Sequence, residues 1–304
     1  MNGFDNASKS AVLLLAHGSP DSVDEIPEFL QQITRGRAIP PQVVEEVQHR
    51  YGLIGQSPLT RLTLQQGELL ARELGMAVYV GMRNWKPYIA DAVRTMDSDG
   101  VKHAVVICLA PQNSRTSVGL YRAALTAAGE PSFTFDFVPA WHDQPSLIEA
   151  FVQKFRVGWD AACRAAGATV PVIFTAHSVP ARTIEDGDPY EAQAKETAAL
   201  VARAVGLSEW EFAFQSQGMS GGAWVGPTVE DSILKLKSRG HSGVFIQPVG
   251  FLCDHVEILY DIDIGFKEFA AKQGMRLWRA ESLNDSPLLV RALAEIVRGR
   301  LNRG

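Results

Sequence analysis

Val172-Ile-Phe-Thr-Ala-His177-Ser-Val-Pro180 is an apolar run closing on Ala-His-x-x-Pro, and Leu13-Leu-Leu-Ala-His17-Gly-Ser-Pro20 closes the same way 160 positions earlier. A short apolar run stopped by proline reads as a strand end. The same landmarks recur around both runs in the same order. Leu109-Ala-Pro111 and Ile246-Gln-Pro248 each end a later strand, and Pro145-Ser-Leu-Ile-Glu-Ala-Phe151 and Pro287-Leu-Leu-Val-Arg-Ala-Leu293 each open a helix. The sequence is therefore an internal repeat. Strands are expected at 11–16, 77–82, 104–110 and 133–138, and again at 171–176, 211–216, 243–249 and 275–280. Between them apolar residues recur three or four apart, as at Leu62, Leu69, Leu70 and Leu74, and segments 115–128, 146–166 and 190–205 also read as helices.

Strand–helix alternation with unbroken apolar strands predicts parallel sheets covered on both faces. The expected fold is α/β: two similar Rossmann-like lobes, each a four-stranded parallel sheet flanked by helices, with a cleft between them. The lobes are expected at 1–144 and 145–304, with the C-terminal helix packing on the first. In such folds ligands lie beyond the carboxyl ends of the strands, where both Ala-His motifs fall.

The 304-residue chain is 46% hydrophobic, too apolar for a disordered protein. Its net charge of −5 argues against a nucleic-acid scanner. The three cysteines, Cys108, Cys163 and Cys253, are far apart, which suits a reducing compartment. No apolar run reaches the roughly 20 residues of a membrane span, and no secretory leader pattern is seen. A cytoplasmic location is expected. The loop Gly218-Met-Ser-Gly-Gly-Ala-Trp-Val-Gly226 fits no nucleotide-binding pattern.

Three groups carry candidate chemistry. His177, at a strand end, suits a base or metal ligand at a crevice, or a side chain tied to local backbone. In Cys253-Asp-His-Val-Glu257-Ile-Leu-Tyr-Asp261, helical spacing puts Glu257 and Asp261 on one face, with Cys253 a turn earlier. Interleaved Val256, Ile258 and Leu259 bury this helix, and buried carboxylates are rare without a partner or a task. Asp254 suits the simpler use of complementing the helix dipole. Arg35, Arg37, Arg50 and Tyr51 form a basic, aromatic group suited to a flat ligand bearing carboxylates, or simply an exposed basic loop.

Together with Gly55-Gln-Ser57-Pro-Leu59, Gly81-Met-Arg-Asn-Trp-Lys-Pro-Tyr88, Gly187-Asp-Pro-Tyr190, Gln215-Ser-Gln217 and Trp224-Val-Gly-Pro227, these strings resemble the ferrochelatase family from Leu13 to about Leu301. Members insert ferrous iron into a porphyrin. The resemblance implies that His177 and Glu257 face each other across a porphyrin cleft, binding the metal and accepting pyrrole protons. It implies that Asp261 relays metal or protons, and that Arg50, Tyr51, Ser57 and Tyr121 line the macrocycle site. His17 stands where many short members carry Tyr, on the opposite face of the macrocycle, where an imidazole is a candidate iron ligand.

Other departures are Thr34 for an Arg beside the propionates of coproporphyrin-using members, Lys86 for a His, and Gly265 for a third acidic residue of the relay. The implied reaction is Fe²⁺ insertion into protoporphyrin IX or coproporphyrin III in haem biosynthesis, with two protons released. Alternatives are a cobalt or nickel chelatase acting on a reduced tetrapyrrole and a non-enzymatic tetrapyrrole carrier. Porphyrin and ferrous iron are the expected partners, as substrates. No tightly bound cofactor is expected, nor the [2Fe–2S] cluster of animal and some bacterial members, which needs four cysteines. A monomer or weak dimer is expected, without nucleic acid, and transient peripheral membrane contact is compatible with the hydrophobic product.

Overall fold

The computed structural model describes residues 9–217 and 222–302. Residues 218–221 of the glycine-rich loop lie outside them, as does most of the polar N-terminus. The first sheet holds β1 (Ser10–Ala16), β2 (Val78–Met82), β3 (His103–Cys108) and β4 (Thr134–Val138), in the order β2-β1-β3-β4. The second holds β5 (Val172–His177), β6 (Glu211–Gln215), β7 (Gly243–Pro248) and β8 (Arg276–Arg279), in the matching order β6-β5-β7-β8. Every pairing is parallel, so the internal repeat is a repeat of topology. Chain order reverses beside β1 and β5, which puts the ends of both strands at the point where such sheets open a crevice.

The central strands are apolar on both faces because helices cover both. Residues Val12–Leu15 and Ile173–Phe174 have no exposed surface. One contiguous core joins the lobes, running from Val12, Leu14 and Ile107 through Leu289 and Leu293 to Phe174 and Phe245. The C-terminal helix Pro287–Leu301 packs on helix Leu59–Leu74 of the first lobe and on helix Pro145–Ala166. That second helix lies against β7, β8 and helix Tyr190–Val205. Polar ties cross between the lobes as well. The Gln66 amide donates to the Asn284 carbonyl at 2.5 Å and to Cys253 Sγ at 2.9 Å, and Gln112 donates to the Val249 carbonyl at 3.0 Å.

Two elements differ from their periodicity. The helix expected over 115–128 is Val118–Ala127, because the turn before it is tied elsewhere: Asp188 accepts from the Arg115 backbone N–H at 2.7 Å and from Ser114 Oγ at 3.2 Å. The acidic helix is broken up. Only Val256–Leu259 is α-helical at its start, Asp261–Phe266 is a π-helical turn in which the Gly265 N–H reaches the Tyr260 carbonyl at 2.9 Å, and α-helix resumes at Lys267–Lys272. Cys253 is therefore not a turn earlier on that helix. It precedes an extended His255 (φ −163°, ψ −175°). Asp254, one residue before the helix N-cap, is tied to the 279–284 segment. Its carboxylate accepts from Ser282 Oγ at 2.7 Å and Asn284 Nδ2 at 2.9 Å, and Arg279 spans from it to Asp263.

Candidate active site

His177 is the last residue of β5, in register with Gln215 at the end of β6. The strand end is held closely. Ser178 N–H donates to the Gln215 carbonyl at 2.7 Å, and Ser178 Oγ to the Val225 carbonyl at 2.8 Å. Gly250, just after β7, lies so near Ala176 that a Cβ on it would sit 2.8 Å from the Ala176 Cβ. This close approach brings the chain after β7 past His177 and delivers the 251–261 segment into the crevice.

There Glu257 sits between two imidazoles. His177 Nε2 is 3.1 Å from Oε1, and His255 Nε2 is 3.2 Å from Oε2. The Nδ1 atoms face the Ser178 and Cys253 carbonyls, the latter at 3.0 Å. A carbonyl only accepts, so His177 Nδ1 carries a hydrogen and Nε2 is the nitrogen that gains or loses a proton against Glu257. Burial works to lower the His177 pKa, but the Glu257 carboxylate outweighs it and lifts the imidazole to about 9. Burial likewise opposes the Glu257 charge, and the two histidines overcome it, holding the carboxyl well below its usual range. The pair is thus an ion pair sharing one proton at neutral pH.

The pair opens on a cavity of about 430 Å³ between the lobes, a size suited to a small ligand. Phe251 lies across from both rings, its centroid 6.3 Å from that of His177 and 5.0 Å from that of His255. Asp261 lines the same cavity and accepts from Ser216 Oγ, whose residue takes φ +60° directly after β6. Burial, with Glu257 adding to it, raises the Asp261 carboxyl to about 6.

The first lobe supplies the facing wall. His17, Arg50, Tyr51 and Tyr121 all line the cavity. Arg50 lies over the Tyr260 ring at 4.9 Å and reaches Glu46 at 2.8 Å. Tyr51 OH meets Ser19 Oγ at 3.2 Å, and burial raises its phenol to about 12. Arg83 stacks on Tyr121 at 5.3 Å, and its buried Nε meets no partner among the described residues. Ser57 is not brought to the cavity. It is buried, and its hydroxyl meets no hydrogen-bond partner among the described residues. His17 lines the cavity, but both its ring nitrogens are engaged, Nδ1 with the Gly18 carbonyl at 2.9 Å and Nε2 with Asn84 Nδ2 at 3.0 Å. The iron ligand expected at this position has no lone pair facing the cavity.

Sequence reasoning passed over His255. Its signal is the His-Val-Glu string at 255–257, which sets an imidazole two positions from the carboxylate, at the residue before the helix opens. Phe251 and Asn84 carried no such pattern.

A family model described as Ferrochelatase matches residues 9–301. The chain belongs to the ferrochelatase family. The ferrochelatase of Acidobacterium capsulatum is 55% identical, covering 97% of this chain and 95% of that protein. The ferrochelatase of Deinococcus radiodurans is 38% identical, with 98% of each chain covered. The coproporphyrin III ferrochelatase of Geobacillus thermodenitrificans is 34% identical, with 95% of each covered. Among solved structures, SirB from Bacillus subtilis with Fe³⁺ aligns with a TM-score of 0.58 at 13% identity, covering 95% of this chain and 94% of that one. At that identity the likeness establishes the two-lobed fold. The reaction of a ferrochelatase is a lyase reaction of haem biosynthesis, in which a porphyrin takes up ferrous iron and two protons leave.

Proposed function

We propose that the inter-lobe cavity holds the porphyrin, that Glu257 receives Fe²⁺ and that His177 Nε2 takes a pyrrole proton. The observation that carries this is the 3.1 Å approach of His177 to Glu257 at the cavity wall. At rest Nε2 is protonated and is not a base. A divalent cation at Glu257 replaces the imidazolium as counter-charge, so the Nε2 proton passes to solvent in the cavity and its lone pair is freed. That lone pair accepts one pyrrole proton while the metal enters from the same side. The second proton goes to the Asp261 carboxylate and on to solvent. Asp261, raised to about 6, is suited to passing protons near neutrality.

Tyr51 and Tyr121 supply flat apolar surface to the macrocycle, while Arg50 at the cavity and Arg83 behind Tyr121 supply positive charge for its carboxylates. Residues 1–144 form the lobe that lines the macrocycle, and residues 145–304 carry the His/Glu pair. Three cysteines cannot furnish the four thiolates of a [2Fe–2S] cluster, so the assignment includes none.

Anaerobic Fe²⁺ insertion, followed by absorbance with protoporphyrin IX and coproporphyrin III side by side, tests the assignment and ranks the substrates. Turnover should collapse in His177→Ala. Tight porphyrin binding by the unaltered protein without turnover would overturn it in favour of a carrier.

A further inference from the structure

His17 places an imidazole at the cavity wall in the lobe opposite His177, so a metalloporphyrin held there has a potential nitrogen ligand on its other face. The surroundings of His17 decide whether that ligand is available. Gly18 offers Nδ1 only a carbonyl, which accepts, so Nδ1 carries the ring hydrogen. A neutral imidazole then has its single lone pair on Nε2, and Asn84 Nδ2 donates to that atom at 3.0 Å. Burial and the nearby Arg83 charge hold His17 down to about 4, so the ring is neutral at physiological pH.

Asn84 is itself fixed. Its side chain is almost wholly buried, its backbone N–H donates to the His17 carbonyl at 3.0 Å, and the Arg83 N–H donates to the Ala16 carbonyl at 2.9 Å. Gly18, at φ +82°, lies so close to Trp85 that a Cβ would stand 2.8 Å from the Trp85 Cβ, so the two turns interlock. Phe29 meets the His17 ring edge-on at 6.2 Å and Trp85 at 5.9 Å, which limits ring rotation. Asn84 does not line the cavity, so the Nε2 lone pair is directed into protein.

We propose that Asn84 and the Gly18 carbonyl lock the His17 imidazole with its lone pair turned away from the cavity, so that it does not ligate the inserted iron and the product leaves. Asn84 is a positioning residue for product release. This rests on the assignment of the cavity as the macrocycle site. A ligated product would gain an iron–imidazole bond that it must break to depart. The locked ring offers only its face.

The test uses ferrous haem formed by the protein's own anaerobic turnover, read by resonance Raman in the iron–imidazole stretching region and by haem transfer to a scavenger protein. His17→Ala should leave the iron–imidazole signal of the unaltered protein as it was, because any such signal comes from another histidine. Asn84→Leu removes the donor to Nε2. It should add an iron–imidazole component, slow haem transfer at least tenfold and lower the ratio of steady-state to first-turnover rate by a similar factor.

The double variant Asn84→Leu with His17→Ala should lose all three effects. Asn84→Asp replaces the donor by an acceptor, so both ring nitrogens become protonated and no lone pair appears; its Raman spectrum should match that of the unaltered protein. The lock is overturned if His17→Ala removes an iron–imidazole component from the unaltered protein. It is equally overturned if Asn84→Leu, folded by circular dichroism, leaves spectrum and transfer rate unchanged. If haem affinity is also insensitive to His17→Ala and Tyr121→Ala, the macrocycle is not in this cavity and the site assignment falls too. The comparison with His17→Ala decides the question even where Asn84→Leu does not fold.

Discussion

His177 and Glu257 meet at 3.1 Å although they arrive from different strands, the first closing β5 and the second following β7 across the point where the sheet order reverses. Each shifts the other's proton affinity, so the contact leaves a signature in stability as well as in activity.

His177 has its pKa raised from 6.5 to about 9, so its contribution is complete below pH 6.5 and is lost as pH rises through 9. Glu257 is lowered from 4.5, so its contribution is complete above pH 4.5 and is lost as pH falls toward its folded value. The pair therefore stabilises most between pH 4.5 and 6.5. Both side chains are about one-third exposed to the cavity, which reduces the effect to about 1–2 kcal/mol. Chemical denaturation at pH 6 and pH 9.5 should show that loss in the unaltered protein and little of it in Glu257→Gln. An equal pH dependence in both would mean that the pair does not titrate as described.

His255 holds the second oxygen of Glu257 at 3.2 Å and so orients the carboxylate toward His177. Removal of a group that orients a ligand typically costs about 10–100-fold in metal affinity or activity. His255→Ala should fall in that range, whereas His177→Ala, which removes the proposed base, should lose about 10²–10⁴-fold. Initial rates at saturating porphyrin separate the two, and equal losses would place His255 among the reacting groups.

Asp261 titrates near 6 because burial and the Glu257 charge disfavour its ionised form. It is protonated below that pH and a carboxylate above it. The rate of Fe²⁺ insertion at limiting metal should therefore climb as pH passes through about 6, and this limb should be missing from Asp261→Asn. A limb that persists in the variant would assign it to another group.

Gly250 packs on the strand that ends in His177. Its Cβ, if present, would lie 2.9 Å from the Ala176 Cα, a main-chain atom that cannot turn aside. Gly250→Ala should cost about 1–3 kcal/mol in the unfolding free energy. It should also cut insertion activity, because the displaced atoms carry His177. Unchanged stability and rate would show that the two strand ends tolerate separation.

Much of the architecture was legible along the chain, since all eight strands lie within two residues of their apolar runs. A strand covered on both faces must be apolar throughout, and proline and glycine mark where it stops. The helix broken after Leu259 was not legible. The apolar spacing around Glu257 runs on through the π-helical turn, and the segment is anchored by distant partners, Arg279 between Asp254 and Asp263 and Ser216 at Asp261. Among the residues that line the cavity, His177, Glu257 and Asp261 were singled out by type and spacing. Ser57 was expected beside them and is buried without lining the cavity, because a motif records chain neighbours but not which side of a turn faces the cavity.

His17 shows the division most clearly. The repeat of Ala-His-x-x-Pro by itself determined that two histidines stand at equivalent strand ends, because topology follows from the order of apolar runs. Only the tertiary structure decided that these twins differ. His177 turns Nε2 to a carboxylate and is raised to about 9, while His17 turns Nε2 to Asn84 and is lowered to about 4. The side chain facing an imidazole sets its proton affinity and aims its lone pair, and here that side chain lies 67 or 80 residues away in the chain.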